Sequence, residues 1–166
     1  MKICVLDIEG TGLAELTLNS KGVPNTEAKR VLCAATKVPN QEPILWLENQ
    51  MPCLIKYLAG FDVIIGHNIY GYDFPVMRRL HKMTKPKCIV DTLIISKLMY
   101  PDINNHAIGD NSLGAWGRYL KFPKMDYTGG WEQYSDEMGT YCMQDTRLGE
   151  AIYTHRRSSL QTTDQW

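Results

Sequence analysis

Ile3-Cys4-Val5-Leu6-Asp7-Ile8-Glu9-Gly10-Thr11-Gly12 sets two carboxylates two residues apart inside an apolar run. Side chains of a strand alternate faces, so Asp7 and Glu9 point one way and Cys4, Leu6 and Ile8 the other. Two like charges on one face of a buried strand repel each other and lose hydration. Residues elsewhere in the chain must provide a reason for the pair.

Working outward, residues 2–8 read as a buried strand, followed by a polar excursion over 10–29. Arg30–Val38 and Pro43–Leu47 read as strands joined by the turn-like Pro39-Asn40-Gln41-Glu42. A helix is predicted over 51–59, stopped by Gly60. Phe61–Ile65 is a short β-branched strand ending at Gly66, and Phe74–Met83 is helical, opened by Asp73 and Pro75. Cys88–Val90 is the last predicted strand, with a helix over Asp91–Met99. Ser112 caps a short helix to Leu120, and a long helix runs from about Tyr134 to Arg157. Three consecutive strands, expected to be antiparallel, precede alternating helices and strands that imply parallel crossovers. The fold class is α/β, a mixed sheet flanked by helices with the first strand central.

The 166 residues suit a single domain, 1–157, with a polar tail over 158–166. The formal net charge is zero, so any nucleic-acid binding must come from a local patch. The five cysteines (4, 33, 53, 88 and 142) are scattered and form no Cys-x-x-Cys pair, which argues against a zinc site or a disulfide framework. Reduced thiols fit a cytoplasmic location. Asp7 and Glu9 interrupt the N-terminal apolar stretch too early for a signal peptide, and no run approaches a membrane span.

Two further acids stand out. Asp73 lies in Gly66-His67-Asn68-Ile69-Tyr70-Gly71-Tyr72-Asp73-Phe74-Pro75, where read alone it suits a helix N-cap. Asp145 lies in Tyr141-Cys142-Met143-Gln144-Asp145, where i and i+4 share a helix face, so Tyr141 and Asp145 project together. Read alone, that is a half-exposed tyrosine beside a surface aspartate.

Taken together, the motifs resemble the DEDD (DnaQ-like) superfamily of 3′–5′ exonucleases, which have a ribonuclease H-like fold. Asp7-x-Glu9-x-Thr11-Gly12 is similar to the first motif, His67-Asn68-x3-Tyr72-Asp73 to the second and Tyr141-x3-Asp145 to the third. The histidine form of the third motif would need His at Thr140, so the resemblance is to the tyrosine subclass, DEDDy. It covers about residues 3–157 and is strongest to the proofreading domains of phage DNA polymerases. Asp91-Thr92-Leu93, Ser112-Leu113-x-Ala115-Trp116-Gly117 and Trp131 support it.

The resemblance implies that the charge balancing the acids is metal, two Mg²⁺ or Mn²⁺ ions on oxygen ligands. In such a site the ions clamp the attacking and leaving oxygens of an in-line phosphoryl displacement. By the resemblance Asp7 bridges both ions, Glu9 and Asp145 hold the one that activates water, and Asp73 serves the second. Tyr141 orients the water; an unperturbed tyrosine, near 10, is a poor base at neutral pH. Thr11 and Gly12 would meet the terminal nucleotide through backbone N–H or hydroxyl, Leu13 would pack on its base, and Asn68 would contact substrate.

The implied activity is a freestanding, metal-dependent 3′–5′ exonuclease on single-stranded DNA, releasing nucleoside 5′-monophosphates. The alternatives are an exoribonuclease of ribonuclease D type, a proofreading subunit acting with a separate polymerase, and a non-catalytic nucleic-acid-binding module. A phage origin, and so a host cytoplasm, follows from the resemblance alone. Arg78 and Arg79 open a run with five Lys/Arg in ten residues, which is either a solvated helix face or a phosphate-tracking patch. His67 is expected to hydrogen-bond a neighbouring loop, Asp91 and Ser112 to cap helices, Trp46, Trp116 and Trp131 to anchor core or loops, and Cys142 to face the core.

Overall fold

The protein is described here from a computed structural model over residues 1–11, 28–122 and 125–161, without the side chains of 157–161, together with the backbone of 17–18 and 24–25. The first strand, β1 (Ile3–Gly10), outlasts its predicted end by two residues. Two short strands, β2 (Thr17–Leu18) and β3 (Pro24–Asn25), pair with each other inside the polar excursion, where the sequence suggested none. Then come β4 (Val31–Lys37), β5 (Ile44–Leu47), α1 (Met51–Leu58), β6 (Val63–Gly66), α2 (Asp73–His81), β7 (Cys88–Asp91), α3 (Thr92–Met99), α4 (Leu113–Tyr119) and α5 (Asp136–Gln161).

The main sheet has the order β5-β4-β1-β6-β7, with β1 central as the apolar run requires. β4 is antiparallel to β1 and to β5, whereas β6 is parallel to β1 and to β7. Strand β1 is thus where the antiparallel half of the sheet meets the parallel half. The β1–β4 register shifts between Glu9 and Gly10: Glu9 faces Cys33, Gly10 faces Val31, and Leu32 is the extra residue.

Alternation along β1 sorts the core. Cys4, Leu6 and Ile8 pack with Met51, Leu54 and Leu58 of α1 and Val76 and Met77 of α2. Val5 faces the other side, with Val63, Ile65 and Tyr153 of α5. Helix α5 crosses β1 and β4 so closely that a Cβ on Gly149 would sit 3.1 Å from Val5 Cγ1. Asp7 and Glu9 share the face of Val5, so they meet α5. Ser135 opens that helix by accepting the Met138 N–H at 3.1 Å, one residue after the predicted start. The helix continues to Gln161, four residues beyond the predicted end. No described helix is long and apolar enough to cross a membrane.

Candidate active site

Four carboxylates from three elements converge at the C-terminal end of β1. Asp7 and Glu9 come from the strand, Asp73 from the first turn of α2, and Asp145 from α5. Glu9, Asp73 and Asp145 are each buried, at 5%, 3% and 6% exposure. Asp73 does not cap its helix: Tyr72 holds that position, without a side-chain cap bond. Instead Asp73 Oδ1 accepts the backbone N–H of Ile8 at 3.0 Å, which ties its carboxylate to the residue that separates the two acids of β1.

The electrostatics follow from this crowding. Burial first, then Glu9, Asp145 and Asp73, push the Asp7 carboxyl well above the usual aspartate range. Burial likewise raises Asp73 to about 7, against the pull of its own N–H and that of Ile8, with Asp91 and Asp145 adding to the rise. Asp7 keeps some exposed surface, yet its Oδ2 is enclosed and accepts no hydrogen bond from any described residue. Enclosed, crowded carboxylates with an oxygen left over are suited to hard divalent cations, which take oxygen ligands and supply the missing positive charge.

Tyr141 sits one turn before Asp145 on the same side of α5, partly buried. Its ring packs against Tyr127 and Trp131, with centroids 5.7 and 6.2 Å away. Trp131 is therefore a brace for Tyr141. Trp116 is fully buried and donates to Ser96 Oγ at 3.0 Å, and Trp46 donates to Thr36 Oγ1 at 2.8 Å.

The other anticipated residues sort by what already engages them. The Thr11 N–H donates to Arg30 O at 3.0 Å, so it is not open to a nucleotide; its hydroxyl accepts from the N–H groups of Lys29 and Arg30, and no described residue accepts its proton. Gly12 and Leu13 lie outside the described residues. Asn68 adopts a left-handed backbone (φ 64°) and donates its N–H to Asp91 Oδ1 at 3.0 Å. Its amide side chain occupies the place a Cβ on Gly71 would take. Arg78 and Arg79 are both exposed, and Arg79 also donates to the backbone carbonyl of Ala28, which ties α2 to the chain entering β4.

His67 links two segments, with Nδ1 2.9 Å from Thr92 Oγ1 and Nε2 2.9 Å from Asn111 O. Asp91 accepts the N–H groups of Leu93 and Ile94 as the cap of α3, and also those of Asn68 and Tyr70. Ser112 caps α4 through the Ala115 N–H at 3.1 Å.

Two residues reach the site beyond their expected parts: Tyr72, a member of the second motif without an expected role, and Cys142, expected to neighbour the site only in sequence. Cys142 is fully buried in an apolar patch with Leu32, Cys33, Ala35 and Met138, as expected. It nevertheless brings Sγ within 4.8 Å of carboxylate oxygens of both Asp7 and Glu9, and donates to the Asp7 carbonyl at 3.5 Å. The i, i+3 spacing to Asp145 was the available signal. Tyr72 encloses its hydroxyl without a hydrogen-bond partner among the described residues, 3.0 Å from where a Gly10 Cβ would stand. Burial first, then Asp73, Glu9 and Asp7, push its pKa above the ordinary tyrosine value.

No family profile matches the sequence, and no curated protein is significantly similar to it. Solved structures do match. The family B DNA polymerase of the archaeon Pyrobaculum calidifontis superposes with a TM-score of 0.61 at 16% identity, over 93% of this chain and 24% of the polymerase. NrnC of Brucella melitensis, in a structure with bound Mg²⁺, superposes with a TM-score of 0.60 at 19% identity, over 98% of this chain and 77% of NrnC. The chain thus spans about a quarter of the polymerase it matches. The fold is ribonuclease H-like: a mixed five-stranded sheet flanked by helices.

Proposed function

We propose that the protein is a metal-dependent exonuclease of the DEDDy kind, removing nucleoside 5′-monophosphates from the 3′ ends of single-stranded DNA. The observation that carries this reading is the convergence of Asp7, Glu9, Asp73 and Asp145 from β1, α2 and α5, with Asp7 Oδ2 enclosed and unpartnered among the described residues. The donors are all carboxylate oxygens, and burial and crowding hold the Asp7 and Asp73 carboxyls above the usual aspartate range, which calls for compensating positive charge. Asp7 would be shared by two Mg²⁺ or Mn²⁺ ions, Glu9 and Asp145 would complete one site, and Asp73 the other. When bound, such ions acidify a water and stabilise the departing 3′ oxygen.

The chain's own residues position the reactants. The Ile8 N–H holds Asp73 in place and leaves its other oxygen for a ligand. Tyr141, braced by Tyr127 and Trp131, directs its hydroxyl to hold the attacking water in line with the phosphorus. The Thr11 hydroxyl, held by Lys29 and Arg30, offers its proton to the terminal nucleotide. The exposed Arg78 tracks the phosphate backbone.

The test is cleavage of matched single-stranded DNA and RNA, each 5′-labelled, with Mg²⁺, Mn²⁺ or EDTA and with Asp7→Ala as control. A metal-dependent ladder that shortens from the 3′ end, is faster on DNA and is absent in the variant supports the proposal. A faster RNA ladder moves the assignment to an exoribonuclease. Intact substrates with every metal, from folded protein, refute it.

A further inference from the structure

We propose that Cys142 joins Asp7 and Glu9 in a mixed thiolate–carboxylate site for a thiophilic divalent cation of the Zn²⁺ or Cd²⁺ class, overlapping the hard-metal site. The geometry supplies the donors. Cys142 Sγ and one carboxylate oxygen from each of Asp7 and Glu9 lie within 4.8 Å of one another. A tetrahedral zinc with bonds of roughly 2.3 Å to sulfur and 2.0–2.2 Å to oxygen needs donors somewhat closer than that, within reach of small side-chain rotations.

The surroundings point to a ligand. Cys142 has no exposed surface, and Asp7 Oδ2 is enclosed with no hydrogen bond from a described residue. A second thiol stands beside the first: Cys33 pairs with Glu9 across β1 and β4, is fully buried, and is a hydrogen-bond neighbour of Cys142. Two thiols and two carboxylates therefore border one small volume between β1, β4 and α5.

Hard and soft cations should treat these donors differently. Mg²⁺ is satisfied by the carboxylates and leaves the thiol protonated. A thiophilic ion forms a metal–sulfur bond, and the Cys142 S–H proton leaves to solvent as that bond forms. The bond compensates for deprotonating a buried thiol, and the same carboxylates are then withheld from Mg²⁺. Inhibition by Zn²⁺ or Cd²⁺ would follow, and that consequence rests on the nuclease proposal; the binding itself does not.

The test is a Cd²⁺ titration of the full chain carrying Cys53→Ser and Cys88→Ser, which removes the two exposed thiols. It follows the ultraviolet thiolate-to-cadmium charge-transfer band. The expected result is a saturable band at about one equivalent, suppressed by excess Mg²⁺. Cys142→Ser should weaken Cd²⁺ binding by more than the roughly 10–100-fold typical of losing an outer-shell partner. Glu9→Gln should weaken it too, with the thiol intact. The parent protein lacking the band, or Cys142→Ser keeping it in full, overturns the proposal. Should Cys142→Ser fail to fold, a band of unchanged affinity in Glu9→Gln overturns it. Mn²⁺ binding by paramagnetic resonance on the same samples separates the two proposals. Mn²⁺ bound without a Cd²⁺ band refutes only this one, and a Cd²⁺ band without Mn²⁺ binding refutes only the hard-metal site.

Discussion

Asp73 Oδ1 accepts the backbone N–H of Ile8 at 3.0 Å, so the acid of α2 is held by the residue that separates the two acids of β1. That bond has a separable consequence. Asp73→Asn keeps a carbonyl acceptor for Ile8 while removing one charge from the cluster. Asp73→Ala also leaves a buried N–H unpaired, at a cost of about 1–3 kcal/mol. Without metal at neutral pH, thermal melting should rank Asn at or above wild type and Ala below it. Both variants should lose nuclease activity by orders of magnitude. An active Asp73→Asn enzyme would remove Asp73 from the metal ligands.

The raised acids give the metal-free protein a signed pH dependence. Asp73 titrates at about 7 in the fold against an ordinary 3.8, and Asp7 is raised as well, burial leading in both cases. The folded state then binds the proton more tightly than the unfolded chain. The stability this confers is complete below about pH 4 and is lost as pH rises through about 7, each unit being worth about 1.4 kcal/mol. In EDTA, the Tm advantage of wild type should therefore shrink relative to Asp73→Asn between those values. Mg²⁺ or Mn²⁺ should restore more Tm near pH 8 than near pH 5. Equal restoration at both would mean that no raised acid is being neutralised.

The four acids stood out through the resemblance of their combined motifs; spacing alone set Asp7 beside Glu9 on a strand face and Asp145 beside Tyr141 on a helix face, and left Asp73 a helix cap. The helix caps at Asp91 and Ser112 followed from local chemistry as well. What escaped depends on contacts far apart in sequence. Nothing near Asp73 announces that it reaches back to Ile8 rather than capping its own helix. The approach of Cys142 to Glu9 depends on how α5 lies over β1, and the tie from Arg79 to Ala28 spans 51 residues. Strands β2 and β3 are two residues each, too short for periodicity to register.

Gly10 ends β1 where no side chain fits. A Cβ there would lie 2.9 Å from the Arg30 carbonyl and 3.0 Å from Tyr72 Oη. The backbone carbonyl cannot swing away, so the strand must shift beside Glu9. Gly10→Ala should destabilise by about 1–3 kcal/mol, the usual cost of overpacking. It should also depress activity more than Tm alone accounts for at a temperature where the variant remains folded. Denaturant melts and turnover on one preparation check both. Wild-type stability would show that the β1 terminus yields more easily than its carbonyl contact implies.

The basic run divides between two roles. Both arginines are exposed, but only Arg79 is tied down, by its hydrogen bond to the Ala28 carbonyl, among the described residues. Arg79→Ala should lower Tm, with its effect on KM following the loss of structure. Arg78→Ala should leave stability within about 0.5 kcal/mol of wild type while raising KM and flattening its dependence on salt. KM measured across a salt series on both variants distinguishes them. Matching salt slopes for wild type and Arg78→Ala would place the phosphate contacts elsewhere.

Asp91 is the remaining acid close enough to Asp73 to raise its pKa, and so the natural rival for a fifth metal ligand. Its oxygens are already occupied. Oδ1 accepts Asn68, Leu93 and Ile94 N–H groups and Oδ2 accepts Tyr70, at 2.9–3.4 Å. One carboxylate thus fastens the turn after β6 to the start of α3, the arrangement that also places Tyr72 and Asp73. Asp91→Ala should cost more than the ~1 kcal/mol of an ordinary helix cap, because four part-buried donors lose their acceptor together. Asp91→Asn should recover part of the loss. Mn²⁺ affinity, measured where both variants are folded, should stay close to wild type. A collapse in Mn²⁺ affinity with stability preserved would make Asp91 a ligand and break the separation between the four-acid site and its supporting turn.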